Sequence, residues 1–147
     1  MIYNVLNFKT PLKNLEIIDF KDLQLEKEAI KTKTHKKKCY FRDNNIEIIL
    51  IIWPANYATK IHSHPEGGCI SKCLENKLIE KTYKVHNLEF IEEKEFNKNN
   101  ISYIDNTLYY HKIENNTNKV AYSLHIYSPP NYYNKNRNIF YIKKDRV

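Results

Sequence analysis

His62 and His64 stand one residue apart in IHSHPEGGC (61–69), beside a proline, a glutamate, the only two glycines of the 147 residues and a cysteine, Cys69. On a strand, residues i and i+2 point to one face, so the two imidazoles are placed to share a metal ion. Two surface histidines beside a tight turn fit the same residues. A third histidine, His111, lies in YYHKIEN (109–115) on another predicted strand. Three neutral imidazoles without a carboxylate leave the full charge on a divalent ion and about three positions open on an octahedral one. Such ligands suit Fe, Zn, Cu or Ni. Arg42 carries a fork that matches a carboxylate in bidentate geometry; a surface cation beside a turn is the alternative. Ser123, His125 and Tyr127 alternate along one predicted strand and share a face. Pointing inward, that ladder must be hydrogen-bonded; otherwise it is the solvent face, with Leu124 and Ile126 inward.

These side chains need strands to hold them. Leu15, Ile18, Leu23, Leu25 and Ile30 in the first thirty residues predict one or two short helices or an edge strand. From Cys39 onward the pattern is β. CYF and IEIILIIW (46–53) flank the turn DNN (43–45). Further strands are predicted around 57–62, 69–74, 77–85, 88–92, 101–104, 108–113 and 119–128, with NKNN (97–100) and ENNTN (114–118) among the separators. Many short strands with turn punctuation make an all-β sandwich or barrel. The predicted layout is a single domain over 1–147: a short N-terminal helical or irregular segment (1–38), a metal-binding barrel (39–130) and a C-terminal strand or tail (131–147). Asparagine tolerates positive φ, so it stands in for the scarce glycine at turns.

Bulk properties narrow the partners. Hydrophobic content of 41% with 28% charged residues is globular. The longest apolar run, 46–53, is too short for a membrane span, and the N-terminus lacks the order of a signal peptide. The net charge of +7 raises nucleic acid as a partner, with KTKTHKKK (31–38) as the patch. No helix-turn-helix, zinc-finger or RNA-recognition signature accompanies it, so the cluster is read as a solvated loop. Three cysteines, an odd number without CxxC, fit a reducing cytoplasmic setting. Cys39 and Cys73 are read as ordinary thiols, and His35 and His86 as surface residues. A monomer is expected, with no nucleic acid and no membrane.

The order H-x-H, then His-x-x-x-Asn with His111 and Asn115, resembles the two-part signature of cupins. Asn56 and Asn76 occupy positions where cupins place turn glycines. The cupin glutamate is replaced by Cys69, and Glu66 falls too early. YFR (40–42), the run from Trp53 through HSHPEGGC, YI at 103–104 with HKIEN at 111–115, and SLHIYSPP (123–130) are similar to the cysteine dioxygenase type I family, the cupin thiol dioxygenases. The resemblance covers about 39–130. It implies a double-stranded β-helix, a jelly-roll-like barrel, holding Fe(II) on His62, His64 and His111. It implies an enzyme that oxidises L-cysteine with O₂ to cysteine sulfinate. Arg42 becomes the carboxylate clamp, with Tyr40 assisting from i−2 on the same face. Tyr127 becomes the active-site phenol, oriented by His125 and Ser123, and Cys69 is joined to Tyr127 by a thioether; a packed free thiol is the alternative. Another small thiol such as 3-mercaptopropionate, a carboxylate-ligated Mn or Ni cupin using Glu66, and a non-catalytic metal- or thiol-binding cupin are the competing readings.

Overall fold

A computed structural model of the chain describes residues 4–105, 107–131 and the backbone of 139–140. The N-terminal segment is helical: two 3-10 turns, the helices α1 (Lys9–Lys13) and α2 (Leu23–Thr32). Asp22 starts α2 by accepting from Leu25 N at 3.0 Å, and Lys33, in the left-handed region at φ 58°, stops it. The Asp22 carboxylate thus satisfies one of the unpaired N–H groups of the first turn.

Eleven strands follow among the described residues: β1 (Lys36–Arg42), β2 (Glu47–Trp53), β3 (Tyr57–Ala58), β4 (Ile61–His62), β5 (Cys69–Glu75), β6 (Lys77–Tyr83), β7 (Phe90–Asn97), β8 (Ile101–Ile104), β9 (Tyr110–Asn115), β10 (Ala121–Tyr127) and β11 (Ile139–Phe140). They form two antiparallel sheets. One has the order β1-β2-β10-β5-β8; the other has β11-β4-β9-β6-β7, with β3 also on β9. The chain crosses repeatedly between sheets, as in a double-stranded β-helix.

Two apolar clusters explain the sequence pattern. Ile49, Ile51, Trp53, Leu78, Phe96, Ile113 and Tyr127 fill the space between the sheets. Leu50, Ile52, Ile70, Leu74, Leu124 and Ile126 face the other way, where Val5, Leu12 and Ala29 of the N-terminal segment cover them. Strands β2 and β10 are therefore buried on both faces, and β2 reads as a continuous apolar run. Lys72 is the exception on the outer face. It is 1% exposed, and its Nζ donates to the carbonyls of Leu12, Lys13 and Leu15 at 2.8, 3.0 and 2.6 Å. One buried ammonium thus ties β5 to the end of α1 and satisfies carbonyls that helix termination leaves over.

Several expectations change. The KTKTHKKK cluster is not a loop: its start ends α2 and Lys36–Lys38 lie in β1. Lysines on an edge strand discourage pairing with another chain. Strand β7 runs over 90–97 rather than 88–92. Of the predicted C-terminal strand or tail (131–147), only Asn131 and the two residues of β11 fall within the described residues. No helix of the described residues is long and apolar enough to cross a membrane. All three cysteines are free thiols.

Candidate metal centre

Strands β4 and β9 bring two predicted ligands together, because His62 and His111 are direct partners across the ladder. Pro65 and the two glycines then carry the chain from β4 to β5. Gly68 has φ +82°, and a Cβ there would stand 2.8 Å from Tyr103 Oη and 2.9 Å from Ile104 O. Only glycine fits that approach without displacing a neighbour. Asn56 and Asn76 adopt positive φ, 55° and 63°, as expected of the glycine substitutes.

His62, His64 and His111 are all buried, and one ring nitrogen from each lies within 4.8 Å of the others. Their second ring nitrogens decide which atoms face the centre. His111 Nδ1 sits 2.7 Å from Glu80 Oε2 on β6, and His62 Nδ1 sits 2.8 Å from Lys60 O. A carboxylate and a carbonyl only accept, so both Nδ1 atoms carry the proton and both Nε2 atoms present lone pairs. His111 Nε2 points at His64 Nε2 across 2.9 Å. Converging imidazole nitrogens of this kind fit a divalent cation. Imidazoles suit iron and zinc equally, so the donors do not choose the element.

Glu80 is 5% exposed. Burial alone would raise its carboxyl pKa; the hydrogen bond from His111, with the Ser102 hydroxyl at 3.3 and 3.4 Å, outweighs burial and holds it below the ordinary value. The carboxylate–histidine–metal arrangement orients the ring and strengthens the ligand.

On β10 the polar ladder faces inward, not to solvent. Ser123, His125 and Tyr127 are 0%, 6% and 2% exposed, and Leu124 and Ile126 pack under the N-terminal segment. Trp53 Nε1 donates to Ser123 Oγ at 2.7 Å, and Ser123 Oγ lies 2.6 Å from His125 Nε2. Indole can only donate, so the serine hydroxyl passes its own proton toward His125. His125 Nε2 is then the acceptor and Nδ1 carries the hydrogen, aimed at Cys69 Sγ 3.8 Å away. Burial above all, with the nearby Lys37 ammonium adding to it, pushes the His125 pKa down to about 3. Its ring stacks on Tyr127 with centroids 5.9 Å apart and planes within 8°. Cys69 on β5 and Tyr127 are ladder partners, and burial pushes the Cys69 thiol pKa up against an opposing hydrogen bond from Tyr127.

Arg42 and Tyr40 part company. Arg42 pairs with Glu47 across the β1–β2 ladder through both Nε and a terminal nitrogen. Glu47 is buried, whereas the Arg42 side chain is 43% exposed. Removing a cation from a buried carboxylate costs about 3–5 kcal/mol when the site is fully buried; the exposure of Arg42 lowers that figure. Tyr40 does not join Arg42. A bulge between Cys39 and Phe41 shifts the register, so residues 40 and 42 no longer share a face. The Tyr40 ring sits against Phe20 at 5.2 Å, with Lys38 Nζ 5.1 Å over its centre, away from the histidines.

The space beside the histidines is a cavity of about 20 Å³, room for about one water. Buried walls come from Ile51, Trp53, Ile113 and the site residues; His35, Lys37 and Thr59 are the lining residues that reach solvent. Glu66 is exposed and stands outside the three-histidine cluster.

The cysteine dioxygenase type I family model matches residues 31–138, a span that contains every one of these side chains. The chain belongs to this family. Cysteine dioxygenase type 1 of Rattus norvegicus is 27% identical over 94 residues, which are 60% of this chain and 47% of that protein. The Danio rerio protein of the same name is 25% identical over 95 residues, 60% and 47% of the two chains. The match thus spans about half the length of these curated relatives. Among solved structures, TT1209 from Thermus thermophilus superposes with a TM-score of 0.56 at 20% identity, covering 74% of this chain and 95% of that one. A protein with a double-stranded β-helix domain from Klebsiella pneumoniae gives 0.60 at 9% identity, covering 80% and 95%. The double-stranded β-helix fold is therefore shared with a solved structure.

Within this cysteine dioxygenase type I chain, four contributors escaped sequence reasoning. Glu80 shares a face with Leu78 and Thr82 on β6, and a lone acid on an inward face was its available signal. Glu47 likewise opens an apolar strand. Lys37 and His35 line the cavity although both were read as surface groups; His35 is half-buried against the Trp53 and Tyr57 rings, at 5.5 and 5.1 Å. Nothing local marked them, because the cavity edge is made only when β1 pairs with β2.

Proposed function

We propose that this protein is an iron-dependent thiol dioxygenase that converts L-cysteine and O₂ to cysteine sulfinate. The observation that carries the reading is the carboxylate-free His62–His64–His111 cluster facing Tyr127 and Cys69 within a cysteine dioxygenase type I chain. An ion held by only three histidines would leave room for both a thiol and O₂ beside it, which would supply proximity. An iron ion held by these three histidines would supply a route for O₂ to react with a thiolate, with no net electrons taken from the metal.

The remaining work belongs to the chain. Glu80 keeps the His111 lone pair on the metal side. Trp53, through Ser123, keeps His125 neutral with its Nδ1–H turned inward. Tyr127 lies under that ring, where its hydroxyl can donate to oxygen or sulfur of the reactants. Apolar walls from Ile51, Trp53 and Ile113 exclude water. The overall step balances without another reductant: sulfur gives up four electrons, O₂ takes four, and both oxygen atoms end on sulfur. Cys69 and Tyr127, adjacent on neighbouring strands, are suited to a thioether between Sγ and the ring carbon beside the hydroxyl; that bond would remove two hydrogens and two electrons, for which O₂, reduced to hydrogen peroxide, would be the acceptor. Arg42 reaches a substrate carboxylate only by sharing or releasing Glu47.

The test is O₂ consumption by iron-loaded protein on addition of L-cysteine, with cysteamine and 3-mercaptopropionate alongside. Stoichiometric sulfinate from L-cysteine supports the reading. Uptake with 3-mercaptopropionate alone would reassign the substrate, and no uptake with any thiol would leave a binding cupin.

A further inference from the structure

The space beside the three histidines, about 20 Å³, holds about one water, and L-cysteine is several times larger than water. Part of the lining must therefore withdraw before a thiol reaches the metal position. The deep walls resist this. Ile51, Trp53 and Ile113 belong to the close-packed cluster between the sheets, where one shift disturbs many contacts. Of the lining residues that reach solvent, Thr59 is tied to β9 twice. Its N–H donates to Ile113 O at 2.9 Å, and its hydroxyl accepts from the Ile113 N–H at 3.0 Å. Lys37 is exposed already, and its backbone is held in the β1–β2 ladder. His35 differs from both. It ends the connection 33–35 between α2 and β1, outside every strand ladder. Its half-buried ring lines the cavity and packs on Trp53 at 5.5 Å and on Tyr57 at 5.1 Å, two rings that stand 6.2 Å from each other.

We propose that His35 is the gate of the metal cavity: its ring occupies the space through which a thiol enters, and rotation of the ring into solvent opens the way, so that His35 filters thiols by size. This rests on the thiol dioxygenase reading. Rotation between staggered side-chain wells carries an imidazole far enough, and the strands need not move. Closed, the ring completes an aromatic rim with Trp53 and Tyr57 and keeps water from the buried centre. The open rotamer gives up those ring contacts and is the minor state. A thiol binds that state alone, so its affinity is reduced by the fraction of molecules that are open. A gate therefore differs in sign from a substrate contact. Truncating a contact weakens binding, whereas truncating the gate strengthens it.

Trp53 is the only tryptophan of the chain and is 2% exposed against His35, so its emission reports the gate. Acrylamide quenching is measured on the metal-free full chain. Binding of L-cysteine to the iron-loaded chain without O₂ is followed by stopped-flow emission. Both are done for wild type, His35→Ala, His35→Leu and His35→Phe. His35→Ala should raise quenching about twofold or more. It should raise the L-cysteine association rate about threefold or more, with dissociation changed by less than about twofold. L-penicillamine, which carries two more methyl groups, should gain more than L-cysteine. His35→Leu should move both quantities the same way by less, and His35→Phe, which keeps a ring at the rim, should stay near wild type. Iron content and far-UV circular dichroism should match in all samples. Unchanged quenching in His35→Ala and His35→Leu, an equal rise in His35→Phe, or weaker L-cysteine binding in the truncated variants would each overturn the gate. Raised quenching in the truncated variants of a chain whose wild type binds no thiol would keep the gate and overturn only the thiol reading.

Discussion

Glu80 holds Nδ1 of His111, a candidate metal ligand, so the acid would act on a bound ion through the ring. Replacing His111 by Ala should strip iron, read by metal analysis of purified protein; undiminished iron would remove His111 from the ligand set. Glu80→Gln keeps the shape but weakens the hold on Nδ1–H. Iron affinity should fall about 10–100-fold, measured by competition with a chelator. His125 makes a separate claim through its depressed pKa. Above its ordinary value of 6.5 it is neutral folded or unfolded, and its contribution to stability is complete. As pH falls below 6.5, the unfolded chain takes up a proton that the folded chain refuses down to about 3. Stability is therefore lost through that window at about 1.4 kcal/mol per pH unit from this residue. Denaturant unfolding of metal-free protein should show a steeper acid loss in wild type than in His125→Asn; parallel slopes would mean His125 protonates in the fold. For Cys69 and Tyr127, peptide mass mapping after aerobic incubation with iron and cysteine should find a linked pair about 2 Da lighter than the sum. Unmodified peptides alone from active enzyme would refute the thioether and leave the dioxygenase reading standing.

Elements hold these residues in place through a few points where one atom matters. Gly68 turns the chain between the ligand strand and β5, against Tyr103 and Ile104. Gly68→Ala combines positive φ with a contact under 3 Å, so it should cost on the order of 1–3 kcal/mol or more and reduce iron loading, because His64 and Cys69 flank the turn. Wild-type melting and wild-type iron content would show that the turn has slack. What could be read from sequence divides along the same line. Strand β2, the DNN turn and the positive-φ asparagines depend on local torsions and side-chain periodicity, and all are legible; His64 lies past the end of β4, so its approach to His62 does not come from strand periodicity. The side of β1 on which Tyr40 lies is not, since the bulge that turns it outward exists only in the pairing with β2. The helical N-terminal segment is only half legible: its apolar residues match helix or strand, and the Asp22 cap and the Lys72 anchor that settle it are tertiary or nearly so.

At the scale of the molecule, two sheets enclose the site while the N-terminal helices seal the outer face of one of them. Family membership and the cupin barrel were legible from spaced motifs, because the three histidines and SLHIYSPP lie far apart in sequence yet belong to one constellation. The cavity edge was not, because Thr59 is remote in sequence from His35 and Lys37 and joins them only in the closed fold. The most direct test of the central claim is turnover of L-cysteine by iron-loaded protein under ¹⁸O₂, with the product analysed by mass spectrometry. The account predicts cysteine sulfinate carrying two labelled oxygens, formed only when iron is bound. Disulfide as the sole product, or sulfinate whose oxygen comes from water, would contradict it.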